Sequence, residues 1–290
     1  MILVQKWGVI MPWNSYEVKE QVKIEKLHSL FKRNYPKGKN FLGEMHDFWE
    51  VVYVIDGEVI VSADENVHEF KSGDIIFHKP LELHKFNVVG DKGATLLVFS
   101  FTMSGALCKN MERRAFHLDK YNRSIIKNFL DFVEYRVRHC SQIENPESFG
   151  DILPYFANDD MFLQTAANYI CRIVLSLAGV ENPLPKTKTY ETDLFKKALQ
   201  LMNERIAEQL SVDDLAHMLN ISVSSLKRLF DKYAGMSVHK YFLTLKIKTA
   251  TVFLKSGMSV SEVSDELGFS SQGYFSATYK RETGSNPSQI

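Results

Sequence analysis

The sequence predicts a two-domain chain: a β-barrel followed by α-helices, then an all-α domain carrying the same two-helix unit twice. Three observations predict it. Between Phe41 and Phe101 short runs rich in Val, Ile, Phe and Tyr are punctuated by turn residues, which is the pattern of an all-β barrel or sandwich. From Asn122 onward the apolar period changes to that of helices. Near the C-terminus one segment repeats: SVDDLAHMLNIS, from Ser211, aligns without gaps on SVSEVSDELGFS, from Ser259, at an offset of 48 positions. The composition, 45% hydrophobic and 24% charged, is that of an ordinary globular protein and argues against disorder.

Taken in order, the strand region has turns expected at Asp56-Gly57, Ala63 to Asn66, Ser72-Gly73-Asp74 and Val89 to Gly93. Ile125, Ile126, Phe129, Phe132, Val133 and Val137 then recur at helical spacing, and Phe162 to Leu177 does so again with a wider apolar face. Part of that second helix, from Asp160 to Ala178, is expected to pack against a second subunit. Val180 to Asp193 contains Pro183, Pro185, two lysines and three threonines and reads as a linker. The expected division is 1–180, a linker 181–192, and 193–290. Ser211, Ser222, Ser237, Ser259 and Ser270 stand as N-caps, and Gly235, Gly257, Gly268 and Gly284 stand where helices stop. No stretch approaches the 18 apolar residues of a membrane span, the longest being broken by Arg172. Lys6 and Pro12 bracket too short an apolar patch for a secretory signal. A cytoplasmic chain without membrane partners is expected. Cys108, Cys140 and Cys171 are odd in number and widely spaced, so they read as reduced thiols.

Each copy of the repeat is a short capped helix, a turn (Leu219 to Ser222, or Leu267 to Ser270) and a second helix, the helix-turn-helix plan. Leu215, Leu219, Leu226, Leu229 and Phe230 pack the first copy, and Val263, Leu267, Phe269, Phe275 and Tyr279 the second; Ala216 and Ser264 allow close approach. Val238 to Ser256 reads as one helical spacer. In such a unit the second helix enters the major groove of double-stranded DNA. The reading positions are then Val223, Ser224, Ser225, Lys227 and Arg228 in the first copy and Ser271, Gln272, Gly273, Ser276 and Ala277 in the second. Arg228 suits a bidentate guanine contact and Gln272 an adenine contact. Lys232, Lys246 and Lys280 complete the expected DNA-binding set. From Ile221 to Ala250 there are six basic residues against Asp231, whereas from Met258 to Ile290 Lys280 and Arg281 face four acids. Because phosphate neutralisation dominates affinity, the first unit is expected to bind more strongly. The alternative is a helical protein-interaction domain with solvated charges.

Leu210 to Pro287 resembles the paired helix-turn-helix domain of the AraC/XylS family of bacterial transcription regulators. The second half, VSEVSDELGFSSQGYFSATYKRETGSNPSQ, carries the family's GFS, YF, K and ETG-x-NPS features. The resemblance implies a seven-helix domain whose recognition helices, about Val223 to Tyr233 and Ser271 to Glu282, enter successive major grooves. Ala277 stands where the family usually has a basic residue, and Lys246 where it has arginine.

Glu44-x-His46-x3-Glu50-x6-Gly57 and Gly73-Asp74-x5-Pro80-x3-His84-x2-Asn87 resemble the paired motifs of cupins, so the first domain is expected to be a cupin-like β-barrel. Strand alternation would put Glu44, His46, Phe48 and Glu50 on one face, with His84 brought opposite by barrel closure. A Glu44, His46, Glu50, His84 set could bind a divalent ion, but the resemblance favours a metal-free effector pocket of His46, Phe48, Glu50, His84 and Phe86, with His78 and Trp49 on other faces. No cofactor is expected. With no arginine fork in the set, a hydroxylated or cationic ligand suits it. The expected protein is therefore a regulator, not an enzyme: no Ser-His-Asp set, phosphate-cradling loop or HExxH is present. It would act as a homodimer, with RNA polymerase a further partner. A regulator without effector and a metal-dependent cupin enzyme fused to a DNA module are the rival readings.

Overall fold

The computed structural model describes residues 14–112, 115–180, 184 and 186–290. Lys6 and Pro12 of the signal argument, and Pro183 and Pro185 of the linker, lie outside them. The strands are β1 (Lys23–Tyr35), β2 (Trp49–Ala63), β3 (Asn66–Lys71), β4 (Asp74–His78), β5 (His84–Val88), β6 (Ala94–Ser104) and β7 (Ala115–His117). They form an antiparallel array in the order β1-β6-β2-β4-β7, while β3 and β5 flank the second half of β2.

One long strand serves two sheets. Asp56-Gly57 was expected as a turn, but β2 continues through it with a bulge. The register against β6 shifts between Val54 and Asp56, and Gly57 takes φ 88°. A Cβ on Gly57 would lie 2.1 Å from the Gly93 carbonyl oxygen, so only glycine fits this bulge. The bend hands the chain from β4 and β6 to β3 and β5. β1 and β7 lie outside the expected strand region. β1 is hard to read because its charges hide its alternation: Lys32, 8% exposed, reaches Glu134 at 2.7 Å.

Val52, Val54, Val59, Val61, Leu96 and Val98 fill the interior of the barrel. On its outer face lie α2 (Lys120–Arg138) and α3 (Asp160–Leu177), which follow the short α1 (Cys108–Met111) and β7. Phe129 of α2 meets Phe99 edge-on at 5.4 Å. Phe162, Ala166, Ile170, Ile173, Val174 and Leu177 of α3 are buried in this same core, so most of the helix's wide apolar face is covered within one chain. Among the described residues no helix is long and apolar enough to cross a membrane.

The second domain comprises α4 (Tyr190–Glu204), α5 (Val212–Met218), α6 (Val223–Ala234), α7 (Val238–Lys255), α8 (Val260–Glu266), α9 (Gln272–Thr283) and a 3-10 turn at Pro287–Gln289. The resemblance implied seven helices; six α-helices and this turn are described. The last residues of the expected linker already form the first turn of α4, because Thr189 caps it through the Thr192 amide. Ser211, Ser222, Ser237 and Ser259 cap α5 to α8 as expected, but α9 is capped by Ser271, not Ser270. The repeat is a backbone repeat too. Asn220 (φ 54°) and Gly268 (φ 63°), 48 positions apart, both take the left-handed turn between helices, and asparagine is the side chain that tolerates it best after glycine. Phe195, Leu199, Leu215, Leu226 and Phe230 form the first unit's core; Ile247, Leu254, Val263, Phe275 and Tyr279 form the second. α7 contributes to both.

Candidate DNA interface and polar cluster

The exposed N-terminal half of α6 carries the expected reading residues. Ser222 caps it, and its Oγ lies 2.9 Å from the hydroxyls of both Ser224 and Ser225. Val223 is half-buried against the unit core. Lys227 and Arg228 are exposed, and among the described ion pairs neither has a carboxylate within 4.0 Å.

The other bases of this unit are engaged. Lys232 pairs with Glu191 of α4, Lys240 with Glu282 of α9, and Lys248 with Asp64 of the barrel at 2.9 Å. Lys246, expected on the DNA face, is only 6% exposed. Its Nζ donates to the carbonyls of Glu208 at 3.1 Å and Leu267 at 2.8 Å, and it lies over the rings of Phe242 and Phe269. This lysine joins the two units, because burial leaves its ammonium no route to a phosphate. Lys246→Ala should therefore destabilise the helical domain by about 1.5–3 kcal/mol, the range for a charged hydrogen-bond donor. It should leave the salt dependence of DNA binding unchanged. Parallel denaturation and salt-titration curves check this, since loss of a true phosphate contact would lower the salt slope by about one.

On α9, Gln272, Gly273, Ala277 and Lys280 are exposed and Ser276 half-buried. A Cβ on Gly273 would meet only Ser271 Oγ, at 4.0 Å, so the start of α9 is open to close backbone approach. Its basic residues are few: Arg281 pairs with Glu282.

In the barrel, the segment before β2 is irregular, so Glu44, His46, Phe48 and Glu50 do not share a strand face as alternation had suggested. Packing brings them together instead. Phe48 is sandwiched between His46 (ring centroids 3.9 Å apart) and His28 (4.2 Å). Glu50 shares the inward face of β2 with Val52, and His84 shares that of β5 with Phe86. His84 Nε2 lies 3.2 Å from Glu50 Oε1, His46 Nε2 lies 3.6 Å from Glu50 Oε2, and Glu44 Oε1 lies 3.9 Å from His84 Nε2. Phe86 sits apart, packed on Phe41 with the rings tilted by 33° and their centroids 3.9 Å apart.

His78 was expected on another face. It lies opposite Glu50 in register, stacks on His84 at 4.1 Å, and bonds Glu82 at 2.9 Å. Glu82 was not anticipated. Strand parity fails here because Lys79 to Leu83 is a turn, with Leu81 at φ 60°; the H-x3-E spacing was the available signal. Trp49 does lie elsewhere, in the core beneath the helices. Burial opposes charge on Glu50, but the imidazoles of His46 and His84 beside its carboxylate hold it well below the usual carboxylate range. Burial likewise opposes protonation of His84, yet Glu50 overrides it and raises the imidazole to about 9. Burial, reinforced by charged His84, lowers His78.

The cluster touches the helical domain through its neighbours in sequence. Lys85 Nζ donates to the Asp231 carbonyl, and Asn87 Nδ2 to that of Lys232 at 3.1 Å, both at the C-terminal end of α6. Gly43 lies so close to α6 that a Cβ there would sit 2.2 Å from the Ala234 carbonyl oxygen. Met45 and Leu83 belong to the first unit's hydrophobic cluster.

Comparison with known proteins follows this division. Residues 30–118 match the family described as AraC-like ligand binding domain, and residues 215–290 the family described as Helix-turn-helix domain. The chain is 22% identical over 262 residues to the Msm operon regulatory protein of Streptococcus mutans, covering 88% of this chain and 87% of that one. It is 19% identical over 254 residues to the transcriptional activator RhaR of Mannheimia succiniciproducens, covering 84% of each. The regulator GbdR of Pseudomonas aeruginosa is 36% identical over 93 residues, 32% of this chain and 25% of its own. Crystalline ToxT from Vibrio cholerae aligns over 93% of this chain and 97% of its own, at 14% identity and a TM-score of 0.37. A cupin-like ligand-binding domain, a doubled helix-turn-helix and regulators as relatives along most of its length place the chain in the AraC/XylS family of DNA-binding transcription regulators.

Proposed function

We propose that the protein is an effector-responsive regulator, not an enzyme, that reads its operator chiefly with α6 and passes the signal through that same helix. One observation carries this reading. α6 presents Lys227 and Arg228 at its exposed half, while the carbonyls of Asp231 and Lys232 at its other end are bonded to the barrel. Any ligand that shifts the barrel loops by a fraction of an ångström therefore acts on the helix that meets the bases, which is the differential contact allostery requires. α9, with Gln272 and Lys280 but few other bases, contributes less affinity and mainly register.

The protein acts in the cytoplasm as a homodimer, with RNA polymerase engaged at the promoter. Two chains present four units to paired half-sites, which multiplies affinity. Exposed Met161 and Leu175 on α3 are the apolar side chains left for such contact. The experiment is thermal denaturation of the full chain, in chelator, against a panel of monosaccharides and small amines, followed by duplex binding with any stabilising compound. A compound that raises Tm and changes duplex affinity supports the reading. A panel without effect on either contradicts an organic effector of the expected chemistry.

A further inference from the structure

We infer that His46, Glu50 and His84 form a binding site for a divalent transition-metal ion, and that its occupancy is felt by the first recognition helix. This rests on the reading of the barrel as the sensing half. The donor atoms argue for metal. His46 Nδ1–H donates to the Phe48 carbonyl and His84 Nδ1–H to the Glu82 carbonyl, each at 2.9 Å. A carbonyl can only accept, so both rings carry a proton on Nδ1 and turn Nε2 toward the same carboxylate. Fixing a histidine through its far nitrogen on a backbone carbonyl is the outer-shell arrangement of metal-binding imidazoles.

His46 Nε2 is buried, has no hydrogen-bond partner, and at 3.6 Å is too far from Glu50 to gain one. That buried lone pair, aimed at a buried carboxylate, is costly to leave so. A cation among the three groups satisfies it, taking the place of the proton that His84 shares with Glu50. Ligands about 2.1 Å from one ion sit roughly 3.0–3.4 Å apart at octahedral or tetrahedral angles. Here the closest pair is at 3.2 Å, and the three donors lie within 4.8 Å of one another. Two imidazoles and a carboxylate suit borderline ions such as Zn2+, Co2+, Ni2+ or Fe2+ rather than Mg2+ or Ca2+. Exposed Glu44 can close a fourth position.

The site is tied to α6 by short chain. Glu44 and His84 exchange both backbone hydrogen bonds, at 2.9 and 3.0 Å. The residues next to them, Gly43, Met45, Leu83 and Lys85, are those that grip the first helix-turn-helix unit. Drawing Nε2 of His46 and His84 onto an ion tightens that grip.

The test is Co2+ titration of the chelator-stripped full chain, read by visible absorption, by metal per chain and by Tm, with Zn2+ in parallel. Expected are one ion per chain, a Tm rise on the order of 5 °C, and loss of more than about tenfold in affinity in His46→Gln and Glu50→Gln. His46→Gln alters a loop residue, and each variant is checked for native circular dichroism. Duplex affinity should differ about fivefold or more between stripped and Zn2+-loaded protein. No metal uptake by wild type, or wild-type Co2+ spectra and affinity in either folded variant, overturns the site. Uptake without a change in duplex affinity overturns its link to α6. Protein that ignores metal but responds to a saccharide or amine keeps the sensing reading and loses the metal; protein that responds to neither loses both.

Discussion

Arg228→Ala should weaken operator binding by about 1–3 kcal/mol, roughly 5- to 150-fold, and relax base preference at the position it contacts. Arg228 is exposed on α6, six residues after the Ser222 cap, and no carboxylate among the described ion pairs competes for its guanidinium. It can therefore present its full fork of donors to a guanine edge. Its neighbours Lys232, Lys240 and Lys248 are each already paired, so alanine at those positions should cost less affinity than at 228. Gln272→Ala should also cost less, because α9 stands in a region of net negative charge. Fluorescence anisotropy on the selected operator and on single-base variants measures all of these. Unchanged affinity for Arg228→Ala, or a greater loss for Gln272→Ala, would contradict the division of labour between the two helices.

Phe230→Ala should destabilise the helical domain by about 3–5 kcal/mol. The ring is fully buried and meets Phe195 of α4 and Tyr241 of α7 edge-on, both at 5.3 Å. Its removal opens a cavity where three helices join and deletes two aromatic contacts, each worth about 0.5–1.5 kcal/mol beyond burial. A domain holding about 5–15 kcal/mol in total would then be marginal. Denaturant unfolding should show an early transition for the helical domain, with the barrel, whose own core is built around Phe99 and Phe129, unfolding later. A change below about 1 kcal/mol, typical of an exposed site, would contradict the assignment of Phe230 to the keystone of the unit.

The helical domain was legible in the sequence because its signals are local. Caps, stop glycines and apolar spacing all lie within one turn of the helix they define, and the repeat checks each against its counterpart. Only the cap of α9 moved by one residue, where two serines compete. The charge on the DNA face was less legible. Six bases crowd the first unit in sequence, but Glu191, Glu282 and Asp64, from α4, α9 and the barrel, engage three of them, and Lys246 is buried. Counting charge along a chain cannot see partners supplied by folding.

The barrel shows the same limit. His46, Glu50 and His84 were singled out and do converge, though through ring stacking and a turn instead of the strand alternation that suggested them. His78 and Glu82 were missed because parity is lost across Lys79 to Leu83. Asp56-Gly57 misled because the same dipeptide that makes a hairpin also makes a bulge, and only the pairing partners distinguish them. β1 escaped because its buried lysine is compensated by a carboxylate on α2.

Selection of bound sequences from random duplexes by the full chain tests the central claim most directly. Two conserved blocks about one helical turn, or ~10 bp, apart, with the stronger block lost in Arg228→Ala, is the predicted result. Folded protein that enriches no sequence and binds no duplex even at low salt would contradict it.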